Sequence, residues 1–224
     1  MSKIKEIRNE TDLTQKDLAM KSGVSIQAIR NLEQSDRSLF VATVTTILRI
    51  SSVLEIEAED LYDMKALQEE VKKRQIEFQE LHPNHDTYDR VTNKYMKKFS
   101  KWKERKVITD TEYKELTFCL NKIFKEESDL KSLTKEANKL LFSYSPRVNR
   151  NSISAYNFFK YRYINGISME EISYCTGISV EMLRRYQSNL RNINSIKIEK
   201  ALKISIIFNV KVSDLFVIDK KIKK

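Results

Sequence analysis

Two groups of side chains carry the chemistry in this sequence. One is Ile26, Gln27, Arg30 and Asn31; the other is Val180, Glu181, Arg184 and Arg185. A glutamine amide donates and accepts side by side, which matches the edge of adenine, and an arginine fork matches guanine. A glutamate accepts from the amino group of cytosine, and an isoleucine suits a thymine methyl. Each group stands at the start of a short helix and matches the other position for position. Because Gln27 and Glu181 differ, two such readers would prefer different half-sites.

The elements that must position these groups are written in the capping signals. Thr14 followed by Asp17 is a capping-box pattern that starts a helix. Leu18 and Ser22 face inward one turn apart, and Ala19 is small where two helices would cross. Gly23 stops the helix, because the left-handed residue past a helix end is easiest for glycine. Ser25 is a good N-cap for the next helix, whose buried side is Val24, Ile29 and Leu32. Two short helices around a tight turn form the helix-turn-helix pattern, whose second helix enters the major groove. An ordinary helical hairpin shares the same capping and apolar period.

The pattern recurs 154 positions later, Gly177 answering Gly23. Ser168 and Glu171 repeat the capping box, and Ser173, Gly177 and Leu183 repeat the small, turn and apolar positions. In the same register, Arg8 meets Arg162, Ser25 meets Ser179, Arg30 meets Arg184 and Arg37 meets Arg191. Leu48, Ile50, Asp60 and Leu61 meet Leu202, Ile204, Asp214 and Leu215. One ungapped register over so long a stretch reads as an internal duplication.

The residues Leu13–Ala19, Gly23-Val24-Ser25 and Ile29–Glu33 resemble the Cro/C1-type (XRE) helix-turn-helix family of phage and bacterial regulators. The resemblance covers both ends of the chain and not its middle. The second stretch has Met169 where the family usually has Gln, and Gln187 where it usually has Glu. Both stretches run a few residues longer than usual after the recognition helix. The resemblance implies a phosphate or base contact for Gln15, at the start of the first helix of the pair. It also implies a repressor of phage or mobile-element type.

Other chemistry is missing. There is no phosphate-cradling P-loop, zinc-protease helix or Cys-x-x-Cys. His82 and His85 flank Pro83 and need not share a face, so no metal site is expected. No carboxylate pair is placed in a cleft, so neither catalysis nor a cofactor is expected. Cys119 and Cys175 read as reduced thiols of a cytoplasmic protein. No run of 18 apolar residues suits a membrane, and the first eight residues lack the apolar core of a signal peptide.

The net charge of +10 suits a polyanionic partner. It is divided unevenly: −3 over residues 1–64, +6 over 65–150 and +7 over 151–224. Five acids of the first segment, Glu55, Glu57, Glu59, Asp60 and Asp63, cluster at its far end. With only 3 Gly and 2 Pro, long helices are favoured over a many-stranded sheet.

The expected architecture is all-α: two small five-helix helix-turn-helix bundles, 1–64 and 151–224, joined by a helical connector domain, 65–150. The first bundle is small but large enough to fold alone. A loop is expected at Gln34–Ser38 and a linker at 145–152. In the connector, Tyr88, Val91, Tyr95, Phe99 and Trp102 form one helical face. That stripe reads as core, as a nucleic-acid contact, or as the surface of a homodimer through residues 65–150. Leu116, Leu120, Ile123 and Phe124 face inward from a helix capped by Thr109 and Glu112, and Leu130, Leu133, Leu140, Leu141 and Phe142 suggest another. The basic tail 220–224 reads as frayed. The expected function is sequence-specific binding of double-stranded DNA through Gln15, Ser25, Ile26, Gln27, Arg30, Asn31 and Arg37 at one end. Ser179, Val180, Glu181, Arg184, Arg185 and Arg191 serve at the other. The alternative is a protein-interaction module, an antitoxin or adaptor, whose bundles bind a protein partner.

Overall fold

Helix starts and stops follow local capping chemistry throughout the chain. The computed structural model describes residues 2–83, 88–125, 130–143 and 152–218, and of these not the side chains of 36, 88–92, 122–125, 130–133 and 143. Most of the expected linker, His85 and the basic tail lie outside the described residues, as do the side chains of Tyr88, Val91, Ile123, Phe124, Leu130 and Leu133. The described residues hold fourteen helices and no strand, so the fold is all-α.

The N-terminal end comprises α1 (Lys3–Glu10), α2 (Gln15–Ser22), α3 (Ile26–Gln34), α4 (Asp36–Val41), α5 (Val44–Leu54) and a 3-10 turn at Ala58–Leu61. The Thr14–Asp17 box closes both ways: the Asp17 N–H donates to Thr14 Oγ1 at 3.1 Å, and the Thr14 N–H donates to Asp17 Oδ2 at 3.1 Å. Gly23 ends α2 in the left-handed region at φ 65°. The expected loop at 34–38 is instead the start of α4. Ser35 lies extended and its hydroxyl accepts from the Arg37 N–H, so one residue breaks α3 and begins a new helix.

Four helices follow: α6 (Met64–Leu81), α7 (Tyr88–Glu104), α8 (Asp110–Lys125) and α9 (Leu130–Ser143). The Thr109–Glu112 box starts α8 as expected, with the Thr109 N–H donating to Glu112 Oε2 at 2.7 Å. The described part of the aromatic stripe is core: Tyr95 and Phe99 are buried with Ile108, Leu116, Leu120, Ala137 and Leu141, and Trp102 packs against them. Helices α7, α8 and α9 therefore hold a small core of their own, and α9 lies on the C-terminal end. Burial of Tyr95 and Phe99 within the chain removes them from any surface that a second copy or nucleic acid would meet.

The C-terminal end comprises α10 (Ile153–Ile164), α11 (Met169–Thr176), α12 (Val180–Gln187), a 3-10 turn at Ile193–Ser195, α13 (Ile198–Phe208) and α14 (Val212–Leu215). Its landmarks repeat those of the N-terminal end in the 154-residue register. Left-handed Asp12, Gly23 and Glu55 answer left-handed Gly166, Gly177 and Asn209. Internal packing repeats too: α1 on α3, α2 on α3 and α2 on α5 are matched by α10 on α12, α11 on α12 and α11 on α13. One capping box is reworked. Ser168 accepts from the Glu171 N–H at 2.9 Å, but the Glu171 carboxylate accepts from Gln75 of α6 at 3.1 Å.

The two ends do not stand apart on a spacer. Their buried apolar side chains form one continuous core from Ile4 to Phe216. The sequence reading joins the ends through a helical connector, 65–150, yet they also touch directly. α6 then straps them together, packing on α11 and α13, with buried Lys203 donating to Glu70 at 2.7 Å. No helix among the described residues is long and apolar enough to cross a membrane.

The glycine turns supply a test. A Cβ at Gly23 would meet nothing within 4 Å, and one at Gly177 would meet only Lys200 Nζ at 3.5 Å. The strain is therefore in the backbone, and Gly23→Ala and Gly177→Ala should each destabilise by about 1–2 kcal/mol. Denaturant midpoints measure this, and an unchanged midpoint for either variant contradicts the turn assignment there.

Candidate nucleic-acid interface

Helix α3 is presented by its neighbours on one side and open on the other. Ile29 and Leu32 are buried beneath it. The Ser25 hydroxyl accepts from the Ala28 N–H at 3.2 Å, which satisfies a donor at the helix start. Gln27, Arg30 and Asn31 are exposed, and Ile26 is 36% exposed. The Gln27 amide donates to Asn31 Oδ1 at 3.0 Å, one turn along. That bond links the two amides on the helix surface. The structure thus brings together four of the residues singled out for base contact, all at the open N-terminal part of α3. Arg37 is exposed at the start of α4.

A buried charge cluster holds α3 in place. Arg8 Nε donates to Glu33 Oε1 at 2.5 Å and Arg8 Nη2 to Glu33 Oε2 at 3.1 Å. Arg8 Nη1 donates to the Leu13 carbonyl at 2.6 Å, and the Gln15 amide donates to Glu33 Oε2 at 2.8 Å. One guanidinium therefore ties α1, the loop before α2 and the end of α3. Burial pushes the Glu33 carboxyl up, but the bonds from Arg8 and Gln15 with the Arg8 charge outweigh it and hold its pKa low. The same bond from Glu33 raises Arg8. Gln15, expected at the nucleic acid, has its amide nitrogen turned inward to this cluster.

The C-terminal end builds the same cluster without the carboxylate. Arg162 Nε donates to Gln187 Oε1 at 3.0 Å, and Arg162 Nη1 donates to the Ile167 carbonyl at 3.2 Å. These are the register partners of Arg8, Glu33 and Leu13. With no carboxylate opposite, burial lowers the Arg162 pKa. Met169 stands where Gln15 does and is buried instead.

The open side of α12 also differs. Ser179 caps it, accepting from the Met182 N–H at 3.3 Å. Val180 packs partly against the core, so it presents less than Ile26 does. Exposed Arg184 and Arg185 face carboxylates: Arg184 lies 3.8 Å from Glu170, and Arg185 lies 3.7 Å from Glu181. Surface pairs of this kind are worth about 0–1 kcal/mol and break readily for a stronger anion. Arg191 is exposed in the turn after α12.

Sequence reasoning missed the inward role of Arg8 and Glu33. The signal was present in the Arg8–Arg162 register and in the Glu-to-Gln change at 187. It also missed Glu57 and Glu59, two of the five clustered acids. They reach across to the C-terminal end, where Lys211 donates to Glu57 at 2.9 Å and the Val212 N–H donates to Glu59 at 2.6 Å.

Comparison with known proteins agrees with the N-terminal geometry. Residues 4–61 match the helix-turn-helix family model, of the XRE type, which is a DNA-binding regulatory domain rather than a catalytic one. The match begins in α1 and ends with the 3-10 turn at Ala58–Leu61, and so takes in α2 to α5. Searches of curated proteins and of solved structures return no match.

The charge cluster has a pH signature. Held below its ordinary value of 4.5, the Glu33 carboxyl contributes stability above that pH and loses it as the pH falls through the lower folded value. Glu33→Gln, which copies the arrangement at Arg162 and Gln187, should cost about 1.5–3 kcal/mol at neutral pH, and the gap to the parent should close in acid. Urea midpoints at pH 7 and pH 3 check this; an equal gap at both places the loss in packing.

Proposed function

We propose that this chain is a sequence-specific DNA-binding transcriptional regulator, a repressor of phage or mobile-element type, whose two ends each present a recognition helix to a half-site. In this reading residues 1–64 and 151–224 are the two reading units, and 65–150 is a helical domain docked beside them. One observation carries it. Within a stretch that matches a DNA-binding helix-turn-helix family, the exposed start of α3 bears Ile26, Gln27, Arg30 and Asn31. Those side chains serve no packing role and have the donor and acceptor chemistry of base readout.

Ser25, Ile26, Gln27, Arg30 and Asn31 then read or approach bases in the first half-site, with Arg37 on phosphate. Ser179, Val180, Glu181, Arg184 and Arg185 take those roles in the second, with Arg191 on phosphate. Gln15 acts one step back, by fixing Glu33. The duplex supplies acceptors on its base edges that compete for Arg184 and Arg185, releasing Glu170 and Glu181. Such a protein works where the chromosome is, in the cytoplasm or nucleoid.

Duplex binding with a steep salt dependence is the direct test. On a selected site, Gln27→Ala should cost about 1–3 kcal/mol and relax preference at one base pair. Arg37→Ala should weaken all sequences alike and lower the salt slope by about one. Titrations of matched and single-mismatch duplexes at several salt concentrations separate the two. Absence of specific duplex binding, with a stable protein partner instead, would support the protein-interaction reading.

A further inference from the structure

We infer that the two ends of the chain are related by a pseudo-two-fold axis, and that the DNA they fit is an inverted repeat of two unlike half-sites, bound by a single chain. This rests on the DNA-binding reading above. The contacts between the ends join matching positions. Thr43 bridges antiparallel to Lys197, its own partner in the 154-residue register. Around that bridge the Val44 N–H donates to the Ile196 carbonyl at 3.0 Å, and the Ile198 N–H donates to the Ala42 carbonyl at 2.8 Å. Exchange each residue for its register partner, and the first bond becomes the second.

The same exchange holds at larger scale. α5 lies on α13, and the 3-10 turn at Ala58–Leu61 lies on α14, each element meeting its equivalent. α4 lies on α13 while the 3-10 turn at Ile193–Ser195 lies on α5, which is one contact made both ways. Reciprocal contact of this kind marks an isologous, two-fold interface; head-to-tail packing would join unlike surfaces. Because α2 joins α3 to α5 in the same way that α11 joins α12 to α13, the axis relates α3 and α12 too. Readers related by a two-fold axis meet the two strands of a duplex in the same sense, which requires an inverted repeat.

One ion pair makes the pairing internal to one chain. Glu57 and Lys211 occupy one register position and face each other at 2.9 Å. Pairing two N-terminal ends of separate chains would set Glu57 against Glu57, and two C-terminal ends would set Lys211 against Lys211. Like charges meeting there disfavour both alternatives. The half-sites are unlike because Gln27 and Asn31 on α3 answer Glu181 and Arg185 on α12.

The experiment uses the full chain and a duplex library with a random core of about three helical turns, roughly 30 base pairs. The expected product is an inverted pair of different half-sites, with one chain per duplex by native mass spectrometry. Inserting about half a helical turn, roughly 5 base pairs, between the half-sites should weaken binding by about 10²-fold, and a full-turn insertion should not restore it. Direct repeats, a lone half-site, or a palindrome holding two chains would overturn this inference and leave the DNA-binding reading standing. Rescue by the full-turn insertion would overturn the fixed axis. No enriched duplex at all would overturn the DNA-binding reading, and this one with it.

Discussion

Two backbone hydrogen bonds around Thr43 and Lys197 set the relation of one end of this molecule to the other. They close the segments 42–44 and 196–198 onto each other just before α5 and α13 begin. Each of those helices is the most apolar of its end, and each starts at that seam. Once the seam forms, α5 and α13 bury their faces in common, and a single core extends from Ile4 to Phe216. Burial of apolar surface is the dominant favourable term in folding, so a shared core couples the stability of the two ends. The glutamates of the 3-10 turn and Lys203 against Glu70 then add polar ties around that core.

Divergence between the ends is concentrated where charge is handled. Arg8 is answered by a carboxylate and a glutamine, Arg162 by a neutral amide and a buried methionine. The Nε and Nη1 donors of the two guanidiniums find acceptors at the same places, and the Arg8 Nη2 bond to Glu33 is the one added at the N-terminal end. The N-terminal version adds an ion pair, with its desolvation cost and its sensitivity to acid. The C-terminal version leaves α12 held by bonds from a cationic guanidinium to a neutral amide, and places its ion pairs on the surface, as Glu170–Arg184 and Glu181–Arg185. A common backbone thus carries two electrostatic surfaces.

The helices between the ends divide by role. α6 is structural to both ends, since it leaves the first and lies across the second. α7, α8 and α9 bury Tyr95, Phe99, Leu116, Leu120 and Leu141 among themselves and contact α10 through α9 and through Lys98 of α7. Lys98 approaches the faces of Trp102 and Tyr163, so part of the basic surface of α7 is directed at the protein itself. The +6 of this segment is therefore not all presented outward.

The sequence alone determined what depends on neighbours in the chain. Thr14 with Asp17, Ser25, Gly23 and Gly177 mark helix ends through bonds and backbone angles that span only a few residues, so their positions were legible in advance. The exposed set on α3 was legible for the same reason, since the apolar period of Ile29 and Leu32 fixes the opposite face. Ser35 was the local exception, because a residue that ends one helix and caps the next reads as a loop. Tertiary structure alone decided the rest. Gln15 turned inward because Glu33, distant in sequence, was brought within 2.8 Å by Arg8. Val180 lost exposure to a core it cannot announce by itself. The meeting of residue 43 with residue 197 decided how the ends are joined. Register shows that two segments are alike, but which faces they bury depends on surfaces that exist only after each has folded.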